Sequence, residues 1–208
     1  MTSVIDQIPF KRLEEDTELL SFECKIPDLT DYFLNKAKVD QRELLSVTYY
    51  LTSENKTVVF FSLSNDKISK FQTKRGERLF TNSGFEKIKH LFSRSKHRED
   101  YPAVKIGRFG VNKDFSGTGM HWGTHTLDFI KAWMIDLNKT GCCFITVDAY
   151  ATAVTFYQKN KFEFLGNKEK KAFEQWVKNH PDYRNQERFD EDIPTFAMYF
   201  NLKTILGS

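Results

Sequence analysis

The chain has 208 residues, of which 40% are hydrophobic and 28% are charged, and its net charge is +3. This length supports a mixed domain with its own core, and this composition excludes a disordered, collagenous or low-complexity chain. No apolar run approaches the roughly 20 residues of a membrane span, and residues 1–10 lack the layout of a signal peptide. The three cysteines form neither a disulfide framework nor a metal-ligand pattern. We therefore expect a cytoplasmic protein with reduced thiols and no bound metal.

Hydrophobic periodicity and turn residues predict a mixed series of helices and strands. In chain order they are a helix at 27–38, strands at 45–51 and 57–63, a helix at 84–92, a strand at 104–111, a helix at 117–138, a strand at 142–147, a helix at 151–160, a strand at 162–165, a helix at 168–179 and a strand at 195–202. The long helix at 117–138 has one apolar stripe that includes Met120, Leu127 and Ile130. Since no repeat or linker interrupts this order, it predicts one α/β or α+β domain.

Positive charge is concentrated in one stretch of the sequence. Residues 67–98 contain ten Lys and Arg and two Glu, which is a net charge of +8, against +3 for the whole chain. Such a concentration attracts anionic partners such as phosphates. The alternative is an ordinary solvated segment of a lysine-rich protein.

The strand, loop and helix within 104–138 point to an anion site. Gly107 and Gly110 weaken their strand, which indicates either the close approach of another group or a bulge. The loop S-G-T-G at 116–119 then leads into the long helix, and free N–H groups at a helix N-terminus favour an anion. A lone G-x-G is weak evidence, because any tight turn can produce one. The loop matches neither a Walker loop nor the dinucleotide fingerprint.

The order of these parts resembles the GCN5-related N-acetyltransferase superfamily. The resemblance rests on the strand, the S-G-T-G loop, the long helix, the apolar strand CCFITVDA and the segment AVTFYQKNKFEFL, which is similar to the pattern A-x-x-F-Y-x-x-x-G-F-x. It implies an α/β (α+β) fold with a central mixed sheet, splayed between the fourth and fifth strands and flanked by helices. It implies a single domain over 1–208, with a basic insertion at about 65–100 and a helical insertion at about 167–192.

The resemblance also implies acetyl-CoA as co-substrate, no metal, and a set of site residues. The backbone of Phe109, Gly110 and Val111 would accompany the pantetheine arm. The pyrophosphate would lie on the loop and the first helical turn, formed by Ser116, Gly117, Thr118, Gly119, Met120 and His121. Tyr157 occupies the position that usually protonates the leaving thiolate, which an ordinary tyrosine can do. No residue stands out as a general base, and Asp148 is one suggestion.

Four positions depart from the family pattern. Asp114 stands where the loop usually begins with Arg or Gln, and His121 replaces the third loop glycine. Lys161 replaces a glycine and Tyr150 replaces a common asparagine in the following segment. An acidic side chain weakens a pyrophosphate site unless it points away, whereas an imidazole at a helix start can donate to phosphate. The sequence leaves open whether Asp114 and His121 weaken binding of acetyl-CoA.

The implied function is transfer of acetyl from acetyl-CoA to a primary amine of a small molecule, peptide or protein. An alternative comes from F-E-C at 22–24, the following helix and hairpin, and I-G-R-F-G-V at 106–111, which are similar to toxin-type acetyltransferases. Those enzymes acetylate the α-amino group of aminoacyl-tRNA. For this chain, that alternative implies tRNA steered by Lys74, Arg75 and Arg78, a ribbon-helix-helix antitoxin and a homodimer. A third alternative is a non-catalytic acyl-CoA-binding or nucleic-acid-binding module of the same fold.

Overall fold

The structure is a computed structural model that describes residues 10–69, 100–136, 141–183 and 193–206. The predicted helix at 84–92 and the candidate residues Lys74, Arg75 and Arg78 lie outside the described residues. The described chain divides into two compact units. The first unit takes its described residues from 1–64 and 106–138, and the second from 65–105, 139–186 and 191–208. That the chain forms one domain stays a prediction.

A mixed seven-stranded sheet is the framework of the fold. Its strands are β1 (Lys11–Arg12), β2 (Val47–Ser53), β3 (Lys56–Ser69), β4 (Asp100–Val111), β5 (Phe144–Tyr150), β6 (Glu163–Phe164) and β7 (Thr195–Asn201). Their order is β1-β2-β3-β4-β5-β7-β6. β4 and β5 are parallel, whereas β7 pairs antiparallel with both β5 and β6. The predicted α/β class with a central mixed sheet is confirmed.

Helices flank this sheet, as predicted. The described residues form the α-helices α1 (Pro27–Asp31), α2 (Ala37–Arg42), α3 (Trp122–Asp136), α4 (Val154–Lys159), α5 (Asn167–Asn179) and α6 (Lys203–Leu206). A π-helical turn, Tyr32–Lys36, joins α1 to α2, and a 3₁₀ turn, Ala151–Ala153, precedes α4. The single helix predicted at 27–38 is therefore a helix with a π-helical turn that continues to Arg42.

Several element ends differ from the sequence-based expectation. β3 and β4 are longer than predicted, because their added residues include polar side chains that the hydrophobic pattern does not mark as strand. Ser69 on β3 donates to the Asp100 carboxylate on β4 at 2.5 Å, so a side-chain hydrogen bond joins the added polar ends of the two strands. β1 and α6 were not predicted, because elements of two and four residues are too short to show a period.

The hairpin of β2 and β3 follows its turn residues. Glu54 and Asn55 have φ of 50° and 60°, and β2 and β3 pair antiparallel on either side of them. Two consecutive positive φ values are typical of the two-residue turn that suits the twist of a hairpin. The predicted hairpin with a short polar turn is confirmed.

Phenylalanine rings build the core of the first unit. Phe22, Phe33 and Phe60 are all buried. The ring centroids of Phe33 and Phe60 are 4.6 Å apart, and Phe22 meets Phe60 edge-on at 5.1 Å. Offset and edge-to-face contacts of this kind add to the free energy gained by burial. These three phenylalanines thus have a structural role in the first unit.

Gly110 on β4 passes directly over this aromatic cluster. A Cβ at Gly110 would lie 2.7 Å from Cε1 of Phe60 and 3.0 Å from Cζ of Phe22. Because both rings are packed by their neighbours, we expect Gly110→Ala to lower the free energy of unfolding by about 1–3 kcal/mol. Urea unfolding would show this as a lower midpoint with an unchanged m-value. Gly107→Ala is the matched control, since its Cβ would meet only Ser62, with the hydroxyl at 3.2 Å and the carbonyl oxygen at 4.0 Å. Equal midpoints for the two variants would contradict the packing argument.

The second unit has aromatic packing around β7. Phe196, Met198 and Phe200 alternate along the sequence, which predicts that they share one side of the strand. They are buried, and Tyr199 between them is buried too. α5 covers part of this unit through Phe173, whose ring lies 5.6 Å from that of Phe164 and 5.4 Å from that of Phe196. β7 is therefore buried on both faces, which a strict alternation in sequence did not predict.

Three further observations concern cysteines, metals and membranes. All three cysteines are free thiols. Within the described ranges, no cluster of His, Cys, Asp and Glu side chains has the makings of a metal site. None of the described helices combines the length and apolar character that a membrane span requires.

Candidate active site

The end of β4 contains a bulge. A Cβ at Gly107 would lie 3.2 Å from Ser62 Oγ, and a Cβ at Gly110 would lie 2.7 Å from Phe60 Cε1. Ser62 and Phe60 are two residues apart on β3 and therefore share a face. In a regular strand Gly107 and Gly110 would face opposite sides, so one extra residue of β4 lies between them. A bulge takes backbone N–H and C=O groups out of the ladder.

The side chains of Phe109 and Val111 are used in packing. Both are partly buried against the cluster of Leu51, Val58 and Val59, together with Trp122. Packing accounts for a glycine at position 110, because the rings of Phe22 and Phe60 leave no room for a side chain there. The part of this segment left for a ligand is therefore its backbone. Contact between acetyl-CoA and this backbone stays a prediction.

The loop after β4 begins at a buried anchor. Asn112 is buried, and its Nδ2 donates to the carbonyl of Thr57 at 2.9 Å. Its Oδ1 accepts from the N–H of Asp114 at 3.1 Å, which starts a 3₁₀ turn over Lys113–Phe115. The Lys113 N–H donates to the carbonyl of Glu23 at 2.7 Å. These bonds hold the start of the loop firmly on the first unit.

The sign of φ alternates along the loop. Gly117, Gly119 and His121 have φ of 77°, 81° and 47°. Alternation of this kind turns successive N–H groups toward a common concavity, which binds anions. The loop leads into Trp122, where α3 begins and where the helix dipole adds positive potential. Residues 116–121 are all exposed, so a ligand has access to them.

Two predictions about this segment are wrong. The helix predicted to begin at Gly117 begins at Trp122, because three residues of the loop have positive φ and cannot continue a right-handed helix. Met120, predicted on the buried stripe, is 57% exposed because it lies in the loop. Leu127 and Ile130 of the predicted stripe are fully buried.

Asp114 points into an ion pair. Its Oδ2 lies 2.5 Å from Nζ of Lys56, on the turn side of β3. This hydrogen bond with the lysine holds the pKa of Asp114 below its usual value. The neighbouring lysine thus neutralises the carboxylate that departs from the family pattern. Asp114 therefore gives no electrostatic reason to exclude a pyrophosphate from the loop.

Tyr157 lies on α4 in the second unit. Its side chain is 4% exposed, and the rings of Phe156 and Phe162 meet it edge-on at 5.2 Å each. Burial raises the pKa of the Tyr157 phenol above its usual value. Among the described residues, nothing makes a hydrogen bond with its hydroxyl. The phenol is protonated at neutral pH, which is the form a proton donor needs.

The suggested base, Asp148, is engaged in an ion pair. Its Oδ2 lies 2.7 Å from Nζ of Lys105, and both side chains are partly exposed. The structure thus gives no support to Asp148 as the base.

Sequence reasoning missed Arg108. Its guanidinium carbon lies 5.2 Å from the centroid of the Tyr32 ring, and that ring stacks on Phe60. Arg108 therefore shares a face with its neighbour Gly107, as residues of a bulge do. Its place in the I-G-R-F-G-V segment marked it only as part of a strand, and the bulge is visible only in the structure.

A mixed sheet flanked by helices and a glycine loop that opens a long helix match the predicted fold of the GCN5-related N-acetyltransferases. The similar solved structures confirm this resemblance at the level of fold.

Proteins of similar fold are found among solved structures. No protein-family model and no curated protein matches the sequence. A structure described as a bacterial toxin is similar with a TM-score of 0.61 and 12% identity, covering 96% of this chain and 93% of that one. AtaT complexed with acetyl-methionyl-tRNAfMet is similar with a TM-score of 0.58 and 17% identity, covering 95% and 96%. A tyrosine-to-phenylalanine mutant of AtaT, bound to the C-terminus of the antitoxin AtaR and acetyl-CoA, has a TM-score of 0.56 and 15% identity, covering 95% and 94%.

Proposed function

We propose that this protein is an N-acetyltransferase that transfers acetyl from acetyl-CoA to the α-amino group of aminoacyl-tRNA, as the toxin of a toxin–antitoxin pair. The observation that carries the transferase part is the exposed loop of alternating φ at the start of α3. The similar structures favour the toxin reading over a small-molecule, peptide or protein amine, because they are toxins and one of them holds acetyl-methionyl-tRNA.

The residues of the loop fit the pyrophosphate of acetyl-CoA. The backbone N–H groups of Ser116–His121 would supply donors, the α3 dipole would supply positive potential, and the Asp114 carboxylate is paired with Lys56. The His121 imidazole is exposed, and its ring N–H can donate a hydrogen bond to a phosphate. When bound, acetyl-CoA supplies an activated acetyl thioester. The backbone of Phe109–Val111 would hold the pantetheine arm and donate to the thioester carbonyl.

The chemistry asks for a neutral amine and a proton for the leaving thiolate. An α-amino group has a pKa near 8, against about 10.4 for a lysine side chain, so it is far more often neutral at pH 7. This explains why a fold without an evident general base can act on aminoacyl-tRNA. Tyr157 would give its proton to the thiolate, and the proton that the attacking amine loses would restore the phenol by way of solvent.

The pKa of Tyr157 sets an expected pH dependence. Because burial raises this pKa above its usual value of about 10, the phenol stays protonated across the assay range. Activity should therefore rise with pH as the acceptor amine loses its proton near pH 8, and should not fall again below about pH 10. The measurement is kcat/KM for the acceptor from pH 6 to pH 9.5, with short incubations to protect the ester bond. A fall above pH 8.5 that disappears in Tyr157→Phe would contradict this assignment.

The partners follow from the same proposal. The basic residues of 67–98, with Lys74, Arg75 and Arg78 among them, would steer tRNA to the enzyme. A ribbon-helix-helix antitoxin would hold the toxin inactive, and a homodimer would be its working form. An antitoxin bound to one of the similar toxins supports this partner class.

The deciding experiment is incubation of the protein with labelled acetyl-CoA and aminoacylated tRNA. Label in the tRNA fraction, lost when the tRNA is deacylated beforehand, would support the proposal. Label on a lysine peptide or a small amine, with none in the tRNA, would overturn the proposed toxin function. It would favour an acetyltransferase that acts on a small-molecule, peptide or protein amine. Binding of acetyl-CoA without transfer to any amine would favour the non-catalytic module.

A further inference from the structure

One side of α5 carries a row of exposed lysines. Residues 159–178, which include most of this helix, contain six Lys and three Glu, so their net charge of +3 equals that of the whole chain. Because side chains three and four positions apart on a helix are neighbours, three of these lysines share one side with Gln175, and all four residues are exposed. The three form what we call the lysine row: Lys168, Lys171 and Lys178.

The acidic residues of α5 lie outside this row. Glu169 is on the partly buried side of the helix, and Glu174 lies beside Lys170, with 3.9 Å between Nζ and the carboxylate oxygen. Among the described residues, no carboxylate is within ion-pair distance of the lysine row. Four other lysines of the described chain meet a carboxylate at 2.5–2.7 Å, namely Lys36, Lys56, Lys105 and Lys113.

Helix stability does not explain the lysine at the start of α5. Lys168 is the second residue of the helix, and Gly166 at the N-cap makes no side-chain hydrogen bond to the first turn. The helix dipole makes a cation unfavourable at this end and an acid favourable. Lys178 in the last turn suits the dipole, so only the start of the row acts against the stability of the helix.

We propose that the lysine row of α5 is a docking face for the phosphate backbone of the acceptor tRNA. The inference rests on the proposed function and adds a second RNA-binding surface to the basic residues of 67–98. At a rise of about 1.5 Å per residue the row is about 15 Å long, enough to meet several phosphates of one strand of a duplex. Lysines that contact phosphates position RNA without reading its sequence, so different tRNAs would dock alike. α5 belongs to the same unit as Tyr157, the proposed acid.

The first test measures binding of unfractionated, deacylated tRNA by fluorescence anisotropy at several salt concentrations. The triple variant Lys168→Gln, Lys171→Gln and Lys178→Gln removes three charges and keeps polar side chains. It is expected to weaken tRNA affinity about tenfold near 0.1 M salt. It should also lower the slope of log Kd against log salt by about 2, because each phosphate contact contributes roughly 0.7–0.9. An unchanged slope would overturn the proposal.

A pair of single variants provides the matched control. Lys170 and Lys171 are adjacent and both exposed, but Lys170 lies off the row and beside Glu174. Lys171→Gln is expected to lower the salt slope by about 0.7–0.9, and Lys170→Gln by much less. Equal losses in the two variants would indicate an effect of net charge alone and would overturn the docking face.

Lys168→Glu separates binding from folding. An acid in the first turn suits the helix dipole, so this variant should melt at the same temperature as the original protein or higher. Its tRNA affinity should nevertheless fall further than that of Lys168→Gln, because the charge is reversed. A retained tRNA affinity, or a loss accompanied by a lower melting temperature, would contradict the proposal.

Two further measurements identify the partner and the step. If the triple variant lost affinity for polyglutamate but not for tRNA, the face would serve an acidic protein, and the proposal would be overturned. Acetylation of methionine methyl ester, which carries no phosphate, should be unaffected by the triple variant, and an equal loss on this ester and on charged tRNA would also overturn it. Absence of label from charged tRNA with the original protein would overturn the proposed function alone, because the binding measurement needs no acetyl transfer.

Discussion

Replacing Tyr157 with phenylalanine is expected to lower kcat for acetyl transfer to charged tRNA by about a hundredfold or more. The change removes only the hydroxyl and keeps the ring that packs between Phe156 and Phe162. Since no described residue makes a hydrogen bond with this hydroxyl, the free energy of unfolding should change little. The measurements are kcat from label transferred to tRNA, and the melting temperature of the same preparation.

Tyr199→Phe is the matched control for this variant. Tyr199 is also buried, its pKa is also raised by burial, and its hydroxyl lies 3.4 Å from a carboxylate oxygen of Glu163. It has no place in the proposed chemistry, so turnover should be retained. If Tyr157→Phe keeps turnover within about threefold of the original protein, Tyr157 is not the proton donor.

Replacing Gly119 with valine is expected to weaken binding of acetyl-CoA by about tenfold to a hundredfold, because φ of 81° at this position is strained for a β-branched residue. A Cβ at Gly119 would meet nothing within 4 Å, so the variant should fold normally. The loop would relax to a negative φ at 119 and turn its N–H groups away from the concavity. Isothermal calorimetry with acetyl-CoA measures the loss directly.

Gly141→Val is the control for backbone strain. Gly141 also has a positive φ, 63°, and open space around its Cβ, but it lies outside the loop. Gly141→Val should retain its affinity for acetyl-CoA. Any drop in its melting temperature measures how far backbone strain alone, outside the loop, destabilises the protein. Equal affinity in Gly119→Val and Gly141→Val would show that the loop does not bind acetyl-CoA.

The two central variants are expected to fail in different ways. Gly119→Val should raise KM for acetyl-CoA and leave the acid in place, whereas Tyr157→Phe should lower kcat at saturating acetyl-CoA. A mutation that acts only in the transition state lowers kcat, and one that removes ground-state binding raises KM. This split distinguishes a cofactor loop from a proton donor within one set of kinetic measurements.

Local patterns in the sequence predicted much of the fold. The hairpin, the long helix and the alternating last strand follow from residues within a few positions of each other, as does the loop of alternating glycines. Their order along the chain was enough to indicate the acetyltransferase fold, and the similar solved structures confirm that fold. Tyr157 and the S-G-T-G loop were also chosen from sequence, and their roles stay predictions.

Contacts between distant residues settled what these patterns left open. Asp114 was a doubtful residue in sequence, and only the fold brings Lys56 to it from 58 positions away. The sequence predicted that Gly110 marks either the close approach of another group or a bulge in the strand. The structure has both, and the approaching group is the Phe60 ring.

The sequence by itself determined the order of elements, the loop composition and the superfamily resemblance, because each depends on neighbouring residues. The tertiary structure decided the start of α3, the bulge of β4 and the direction of Arg108, because those depend on which strand faces another and in which register. A shift of one residue in register moves a side chain to the other face of a sheet, and no local pattern records that shift.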